Sequence, residues 1–446
     1  MTTCMKRFSR AIVIGASVAG CLSARVLARH FDEVLLLDQD TFSTDPAPRK
    51  TVPQEHHVHL LLNRGSAIIE ALYPGFKDAL LKAGAQEIDL SHGVKSYAGN
   101  AWKQRWPTGI TAHYCSRTLL EFVLRQQATG VENVKIIDGV RVKGLLHDAG
   151  CINGVQVSIE GEARELEAML VVDASGRSSR TCAWLKQFGY GDVLREEVAN
   201  QLGYVSRIYR RNPARKPGWQ VLLVTPDLPG RRNMGVISPI EGDRFMVTAG
   251  GWFGASPLPN EDDFMRFLAE LPVADIYHEV IQLEPLGAFH QYKMPCSLRR
   301  RYDLMPNWPQ GLLVVGDALC SINPIYSQGM SVSALQVEAL SRVLPAFLRG
   351  DIWAQQVMRA QVEATEISWQ QAKANDESLH PQAQRVGLKA RLHARWLGVV
   401  NTAAYHNRDV AIATLNIANL VADKRTLYSL SVARASLFSA IARALR

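Results

Sequence analysis

The stretch that decides the fold is residues 11–38, AIVIGASVAGCLSARVLARHFDEVLLLD. Its first four residues are apolar and indicate a buried parallel strand, and the apolar positions that follow recur at helical spacing. A second apolar strand runs through residues 34–37 and ends at Asp38. Between the first strand and the helix lies a turn of small residues, GASVAG. This order predicts a βαβ unit of the dinucleotide-binding type.

The residue types of the turn suit a pyrophosphate group at the helix N-terminus. Gly15 permits the tight turn and Gly20 lets the helix approach the strand, whereas Ser17 replaces the usual middle glycine. Small residues let backbone N–H groups reach an anion at the positive end of the helix dipole. Asp38 stands where a carboxylate accepts hydrogen bonds from ribose hydroxyls. The predicted dinucleotide contacts are Gly15, Ala16, Ser17, Val18, Ala19, Gly20, Asp38 and Gln39.

Composition favours an ordinary globular protein. The chain has 446 residues, 47% of them hydrophobic and 21% charged, which is enough for two or three domains. Its seven cysteines are irregularly spaced without a CxxC pair, so we expect free thiols in a reducing compartment. Neither a signal peptide nor an apolar run of transmembrane length is visible. We therefore expect a cytoplasmic protein.

The net charge of +8 is concentrated near the end of the chain. From residue 385 onward there are ten basic and two acidic residues, an excess equal to the whole net charge. Such a region suits peripheral contact with a membrane or an acidic partner, or it is a solvated helical face. No nucleic-acid-binding motif accompanies the charge, so we expect no nucleic-acid partner.

The remaining pattern predicts an α/β fold in three parts. Short alternating runs between Pro and Gly turns at 186–300 indicate an antiparallel sheet, while the strand at 311–315 returns to the buried parallel style. The predicted helices are 60–72, 77–85, 115–127 with Ser116 as N-cap, 262–271 and 329–348, and the remainder from about 350 to 446 is predicted to be helical throughout. The expected parts are a Rossmann-like dinucleotide-binding domain (1–88, 113–185 and 301–348), a substrate-binding domain with the antiparallel sheet (89–112 and 186–300) and a C-terminal helical region (349–446).

Three further segments point to one family. They are CSRTLLEFVLR (115–125), LVVDASGR (170–177) and GLLVVGDALCSINPIYSQGMSVSALQVEAL (311–340). In their order and spacing, together with the turn at 15–20, they resemble the FAD-dependent monooxygenases of the aromatic-hydroxylase type. VPQEHHVHLLLNRG (52–65) and NPIYSQGMSV (323–332) look most like the polyether-type and squalene-type epoxidases. The resemblance covers residues 11 to about 345.

The resemblance assigns further residues to FAD, beginning with the segment 311–340. It implies that Asp317, which follows Gly316, contacts the ribityl chain or the pyrophosphate side. Pro324, Gly329 and Met330 are implied to face the pyrimidine ring, where backbone N–H groups can stabilise negative charge on the reduced flavin.

Four other positions are carried over in the same way. Arg117 is implied to reach the pyrophosphate or ribityl region, and Arg49 the adenosine or the flavin from a mobile loop. Val140 and Asp173 complete the implied cofactor contacts. The order Asp-Ala-Ser-Gly at 173–176 departs from the family's commoner Gly-Ala-Asp-Gly, so no nicotinamide contact is carried over.

The implied activity is insertion of one oxygen atom from O2 into a small apolar alkene or aromatic substrate, by way of a flavin C4a-hydroperoxide, in secondary metabolism. NADPH or NADH would be the reductant, directly or through a flavin reductase. Because the cofactor does the difficult chemistry, we assign no acid–base residue. The flavin-proximal candidates are Gln54, Pro324, Gly329 and Met330.

Other classes stay open or fail on a missing residue. An FAD-dependent reductase of prenyl-like or other apolar substrates stays open, as does a flavin-binding protein with minor catalysis. A flavin halogenase is the nearest mechanistic rival, although its Trp-x-Trp-x-Ile motif is absent. A disulfide reductase would need a second cysteine beside Cys320, and a serine hydrolase a GxSxG elbow. His56, His57 and His59 lack a carboxylate or cysteine partner at ligand spacing, so we expect no metal.

Overall fold

A computed structural model describes residues 8–226, 231–380 and 388–444. Its strands are β1 Phe8–Ile14, β2 Phe31–Leu37, β3 Gln86–Asp89, β4 Val94–Ala98, β5 Ala101–Trp102, β6 Thr111–Tyr114, β7 Val134–Ile137, β8 Val140–Asp148, β9 Cys151–Ile159, β10 Glu162–Glu167, β11 Leu170–Asp173, β12 Arg195–Arg210, β13 Val221–Val224, β14 Asn233–Ile240, β15 Arg244–Gly251, β16 Glu284–Arg300, β17 Leu312–Val314 and β18 Cys320–Ser321. Its α-helices are α1 Val18–Leu27, α2 Asn63–Leu72, α3 Phe76–Lys82, α4 Arg117–Thr129, α5 Thr181–Gln187, α6 Glu261–Ala269, α7 Asp275–Val280, α8 Gly329–Leu348, α9 Ala354–Leu379, α10 Leu388–Ala403, α11 Arg408–Ala418 and α12 Leu430–Ala444.

A five-stranded parallel sheet forms the centre of the cofactor half. Its order is β17-β11-β1-β2-β7, and helix α1 connects β1 to β2. The middle residues of β1 are fully buried, because both faces of a parallel sheet are covered. Since carboxyl ends of parallel strands meet at one edge, this sheet brings Gly15, Asp38 and Gly316 to the same side. The predicted βαβ unit is confirmed.

An eight-stranded sheet forms the other half. Its order is β18-β16-β12-β15-β14-β13-β4-β5, and its pairs are antiparallel with one exception. Strand β4, which comes from the early segment of the chain, lies parallel to β13. The sequence predicted an antiparallel sheet throughout, because alternation within a strand carries no information about the direction of its neighbour. Helices α6 and α7 cover one face of this sheet around Val205 and Phe264.

The helix predictions differ from the structure at both starts and ends, for example 77–85 against Phe76–Lys82 and 262–271 against Glu261–Ala269. Helix α2 begins at Asn63 rather than 60, because the segment before it is extended over the large sheet: His57 hydrogen-bonds Ser206 there, and Val58 N–H donates to Thr248. Ser116 caps α4 as predicted by accepting the Leu119 N–H at 3.0 Å. The long helix α8 has the predicted bounds, and α5 and α7 were not predicted.

The C-terminal region is helical as predicted, but it divides into two parts. Helix α9 joins the main core, where Trp369 is fully buried. Helices α10–α12 pack around a small core of their own that includes Val410 and Leu427. Of the counted basic residues, Arg385 and Arg446 lie outside the described residues.

The helices and the cysteines of the structure bear on the expectations about membrane spans and free thiols. Within the described ranges, no helix combines the length and apolar composition needed to cross a bilayer. The six cysteines there are unpaired, as predicted, and Cys4 lies outside these ranges.

Candidate cofactor site

A cavity of about 760 Å³ lies at the carboxyl edge of the parallel sheet and extends toward the large sheet. Its volume falls in the range of about 300–1,000 Å³ that is common for cofactor pockets. Fourteen of the residues singled out from the sequence line it: Gly15, Ser17, Val18, Ala19, Asp38, Gln39, Arg49, Gln54, Arg117, Val140, Asp317, Pro324, Gly329 and Met330.

The remaining four predicted residues, Ala16, Gly20, Asp173 and Gly316, are buried behind that wall. Asp173 is fully buried, and its carboxylate accepts hydrogen bonds from Ser175, Ser179 and Thr181. It therefore shapes the turn after β11 instead of reaching the cavity.

The turn between β1 and α1 is built by two glycines that approach each other closely. Gly15 has φ of +100°, and a Cβ placed there would lie 2.7 Å from the Ala174 carbonyl oxygen. A Cβ on Gly20 would lie 1.7 Å from the Gly15 carbonyl oxygen. Ser17 begins the helix without capping it by its side chain, and the first turn contains no acidic residue. The backbone N–H groups in the first turn of α1 are therefore available to an anion.

Asp38 closes the same turn from the end of β2. Its carboxylate accepts the Ala16 N–H at 2.8 Å and the Asp40 N–H at 3.0 Å, and Arg49 approaches it at 3.3 Å. Burial raises the pKa of Asp38, while Arg49 and these N–H groups oppose the increase. Asp38 is thus fixed at the position expected for a ribose-binding carboxylate.

A buried ionic cluster connects this turn to α4. Glu121 is 1% exposed, pairs with Arg49, Arg117 and Arg125, and accepts a hydrogen bond from Ser17. Burial alone would raise the pKa of Glu121, but Arg117 and Arg49 lower it to about 2. The carboxylate is therefore ionised at neutral pH, and it holds Arg117 against the cavity.

Glu55 belongs to the same cluster and was missed in the sequence, as Glu121 was. It accepts hydrogen bonds from the backbone and the side chain of Arg49, at 3.0 and 2.9 Å. The Arg117–Glu121 pair has i,i+4 spacing on a helix, a signal that could have identified Glu121. Glu55 carries no comparable local signal.

The opposite wall is formed by the segment after β17. Gly316 has φ of +68°, and a Cβ there would lie 2.7 Å from the Ala19 Cβ, so this strand end lies tightly against α1. Burial raises the pKa of Asp317, against the effect of Arg117 and Arg177. Arg177 also lines the cavity, and donates to Ser321 at 3.1 Å.

Helix α8 points its N-terminus at the cavity. Pro324, Ser327, Gly329 and Met330 line it there, and no atom lies within 4 Å of a Cβ built on Gly329. The first turn of α8 contains no acidic residue and no side-chain cap. The cavity is therefore bordered by two helix N-termini, one from α1 and one from α8, whose partial positive charges face the same space.

The histidine segment lies between the cavity and the large sheet. His59 lines the cavity, and its Nδ1–H donates to the His57 carbonyl at 2.9 Å, which leaves Nε2 as an acceptor. Burial and then Arg117 lower the pKa of His59 to about 4. His56 instead stacks on His290, with ring centroids 3.7 Å apart. Among the described residues, no three His, Cys, Asp or Glu side chains gather as metal ligands do.

An aromatic cluster adjoins the cavity at the large sheet. Gln54 donates a 3.3 Å hydrogen bond to the hydroxyl of Tyr292, and both residues line the cavity. Tyr292 packs against Tyr204, in a buried cluster that also contains Trp252 and Met294. Apolar and aromatic side chains of this kind suit an apolar ligand.

The donor set fits FAD on the structure's own terms. The N-terminus of α1 and Arg117 supply positive charge for a pyrophosphate, and Asp38 supplies a ribose acceptor at the other side of the turn. The N-terminus of α8 supplies positive charge at the opposite wall. Because Gly15 and Gly20 have no side chains, α1 lies close to the strands and forms the cradle. A larger residue at either position would displace α1.

Comparison with known proteins agrees with this architecture. No protein-family model matches the chain. Protein Rv3254 of Mycobacterium tuberculosis is 31% identical over 398 residues, which is 83% of this chain and 80% of that protein. Squalene monooxygenase 1,2 of Brassica napus is 23% identical over 350 residues, which is 75% of this chain but 60% of that protein.

Solved structures share the fold at low sequence identity. PqsL of Pseudomonas aeruginosa, a probable FAD-dependent monooxygenase, has a TM-score of 0.60 and 17% identity, over 85% of this chain and 96% of that one. For p-nitrophenol 4-monooxygenase PnpA of Pseudomonas putida the values are 0.66 and 15%, over 94% and 100%. For the flavin-dependent brominase Bmp2 they are 0.63 and 16%, over 94% and 95%. The predicted fold class is thereby confirmed.

Proposed function

The chain belongs to the family of protein Rv3254 of Mycobacterium tuberculosis, and we propose that it is an FAD-dependent monooxygenase. In the proposed reaction one atom of O2 enters an apolar alkene or aromatic substrate, and the other leaves as water. NADPH or NADH supplies the two electrons, directly or through a partner reductase. Bound FAD would supply the redox and oxygen chemistry, and the protein would supply binding, orientation and exclusion of water.

One observation carries the proposal: a single cavity borders both the dinucleotide cradle and the aromatic cluster. Ser17 and Arg117 lie on its cradle side, and Tyr292 lies on its aromatic side. A cofactor held by the cradle would therefore reach the place where an apolar substrate fits. The solved FAD-dependent monooxygenases with this fold support the same assignment.

The residues of the chain have separable roles in this proposal. Arg117 and the N–H groups of α1 would bind the pyrophosphate, and Asp38 would bind the ribose. The N–H groups at the start of α8 would stabilise negative charge on the ring system. Asp317 would accept a hydrogen bond from the ribityl chain.

The substrate class rests on the aromatic cluster. Tyr204, Trp252 and Met294 are all at least 94% buried, and they present apolar surface beside Tyr292. We infer an alkene or aromatic substrate with little charge, to be epoxidised or hydroxylated. The likeness to a squalene monooxygenase favours epoxidation of an alkene, and the fold of a p-nitrophenol monooxygenase favours hydroxylation of a ring.

The test is oxygen transfer from labelled O2. The FAD-loaded protein is mixed with NADPH or NADH, ¹⁸O2 and a panel of apolar alkenes and phenols, and products are weighed by mass spectrometry. We expect a product with one ¹⁸O atom from wild type and from Arg125→Met, and far less from Arg117→Met at limiting FAD. Arg125 shares the Glu121 carboxylate but does not line the cavity.

Other outcomes of the same experiment would replace the proposal. A product that gains two hydrogens and no label would indicate a reductase of an apolar substrate. Incorporation of added bromide or chloride would indicate a halogenase, whose fold this chain also shares. Failure of the purified protein to bind FAD would remove all three.

We also propose that α12 contacts an anionic membrane surface. Leu430, Leu437 and Phe438 recur at i, i+7 and i+8 and are 83%, 52% and 66% exposed, so they share one face of the helix. Arg434, one turn after Leu430, is exposed on the same face. Apolar side chains with an interleaved cation suit the interface of a bilayer that contains anionic lipids.

Vesicle binding tests this surface. The full chain should sediment with vesicles of phosphatidylserine and phosphatidylcholine more than with phosphatidylcholine alone. Replacing Leu430, Leu437 and Phe438 by serine should abolish the difference. Serine at Leu258 and Ile281, which are exposed elsewhere, is the matched control. If the triple variant bound the vesicles as well as the control variant does, the membrane contact would be contradicted. The cytoplasmic location stays a prediction.

A further inference from the structure

Helix α9 carries a carboxylate that no sequence motif marked. Asp376 is 0% exposed. Its Oδ1 accepts hydrogen bonds from Trp252 Nε1 at 3.0 Å, Asn323 Nδ2 at 2.9 Å and the Tyr326 hydroxyl at 2.6 Å. Its Oδ2 accepts them from Asn200 Nδ2 at 3.2 Å and Ser297 Oγ at 3.4 Å. Five neutral donors therefore converge on one buried side chain.

These donors come from separate parts of the fold. Asn200 lies at an irregularity in β12, Ser297 lies on β16, and Trp252 follows β15. Asn323 and Tyr326 belong to the turn that precedes α8. No ion pair with Asp376 is formed by any residue within the described ranges. The buried carboxylate is met by neutral donors alone, an arrangement that is costly unless every donor is held in place.

The turn at 323–327 forms part of the cavity wall. Asn323 donates to Asp376 with its Nδ2 and accepts the Ile325 N–H at 3.1 Å with its Oδ1. Its side-chain amide thus links the carboxylate to the turn. Pro324 and Ser327 line the cavity, and Ser327 has φ of +55°. Asp376 therefore holds this wall from behind. The wall includes Ser327, whose backbone conformation is rare for a non-glycine residue.

Donors face both side-chain oxygens of Asp376, so the site requires a hydrogen-bond acceptor at each of these two positions. An ionised carboxylate accepts in all directions, whereas the amide of asparagine presents an NH2 group at one of its two ends. In place of Oδ1, that NH2 would face the N–H groups of Trp252 and Asn323. In place of Oδ2, it would face the Asn200 amide, whose own Oδ1 already accepts the Leu202 N–H. Asp376→Asn is therefore nearly isosteric but leaves donors unpaired in the interior.

We propose that Asp376 is a positioning residue for the cofactor, which it serves by fixing the turn 323–327 that forms part of the cavity wall. The inference rests on the proposed function for the identity of that cofactor. Its structural part does not depend on FAD, since the hydrogen bonds exist within the chain. The C-terminal helical region thereby contributes to the site, although the sequence placed it in a separate part.

Amide hydrogen exchange tests the structural part. In Asp376→Asn we expect exchange of the 322–330 segment to accelerate by tenfold or more, because lost hydrogen bonds of about 1.4 kcal/mol correspond to that factor. The matched control is Asp303→Asn, another buried carboxylate, which pairs with Arg301 away from the cavity. It should leave exchange of that segment unchanged. Equal exchange of the segment in wild type and Asp376→Asn would overturn the proposal.

FAD titration tests the consequence. We expect Asp376→Asn to raise the dissociation constant for FAD by about tenfold and to shift the visible flavin absorption, and Asp303→Asn to do neither. Tyr326→Phe should cause a smaller change, and the double variant should cost less than the sum of the two, since both act through one contact. Normal FAD affinity and spectrum in Asp376→Asn would overturn the cofactor role. Wild-type protein that binds no FAD would instead overturn the proposed function, while the exchange result would still decide the positioning of the turn.

Discussion

Ser17 donates a 2.6 Å hydrogen bond to Glu121 across 104 positions of the sequence. The serine stands where dinucleotide-binding turns usually have glycine, and its hydroxyl also accepts a hydrogen bond from Arg117 at 3.2 Å. The departure from the common pattern therefore has a structural reason. It joins the N-terminus of α1 to the helix that carries the cavity-lining arginine, so that cradle and arginine form one unit.

Removing the charge of Glu121 should destabilise this unit. Arg117 and Arg125 pair with Glu121, and glutamine would leave both guanidinium groups buried without an anion. We expect Glu121→Gln to lower the free energy of unfolding by about 3–5 kcal/mol, as broken buried ion pairs do. Urea denaturation at pH 7 measures it. Glu33→Gln is the control, because Glu33 pairs with Arg10 and Lys135 nearer the surface, where the loss should stay within about 1 kcal/mol. Equal losses would contradict the cluster's role.

Arg117 and Arg125 should differ in their effect on cofactor affinity. Both pair with Glu121, but Arg117 lines the cavity while Arg125 lies 4.5 Å from the ring centroid of Phe42. Arg117→Met removes a charge-assisted contact to phosphate, so the dissociation constant for FAD should rise by about 10-fold to 100-fold. Arg125→Met should change it by less than about threefold, although both variants lose a similar ion pair. Fluorescence titration at one salt concentration decides, and matching affinities would place the pyrophosphate elsewhere.

The sequence predicted the parts of the site that are encoded locally. The turn at Gly15 and Gly20, the cap at Ser116 and the start of α8 each depend on neighbouring residues, and the structure has them at those positions. Hydrophobic periodicity and small-residue turns report on such short-range geometry. Asp173 shows the limit of motif transfer, because its carboxylate is taken up by its own turn.

The sequence could not predict pairs that form only on folding. Asp376 meets Asn200 across 176 residues and Asn323 across 53, and no spacing rule connects such positions. For the same reason, the sequence pattern did not predict the parallel pairing of β4 with β13. Long-range polar contacts of this kind depend on how whole elements dock, which a pattern within one element does not record.

Gly20 should tolerate no side chain. A Cβ there would lie 1.7 Å from the backbone oxygen of Gly15, and neither backbone can move without displacing α1 from the sheet. We expect Gly20→Ala to cost about 3 kcal/mol or more in unfolding free energy. Gly398→Ala in α10 is the control, since its Cβ meets nothing within 4 Å and should stabilise the helix by about 0.5–1 kcal/mol. Thermal denaturation followed by circular dichroism separates the two, and unchanged stability of Gly20→Ala would contradict the close approach.

His57 should make the fold sensitive to acid. It is 2% exposed, and its Nδ1 lies 2.7 Å from Ser206 Oγ. Burial, followed by the neighbouring His59, His56 and His290, lowers the pKa of His57 to about 2. Between that value and about 6.5, the unfolded chain binds a proton at this residue that the folded chain does not. Stability is therefore complete above about pH 6.5 and falls below it, by up to about 1.4 kcal/mol per pH unit.

Replacing His57 by glutamine isolates this contribution. Glutamine keeps a hydrogen-bonding group near Ser206 but does not titrate, so the fall in unfolding free energy from pH 6.5 to pH 5 should become shallower than in wild type by about 2 kcal/mol. Urea denaturation at pH 7.5, 6.5, 5.8 and 5 gives the slope, which is independent of any constant loss that the substitution causes. The exposed His92→Gln is the matched control for removing one histidine. Parallel curves for His57→Gln and wild type would mean that His57 accepts a proton within the folded protein, which would contradict this prediction.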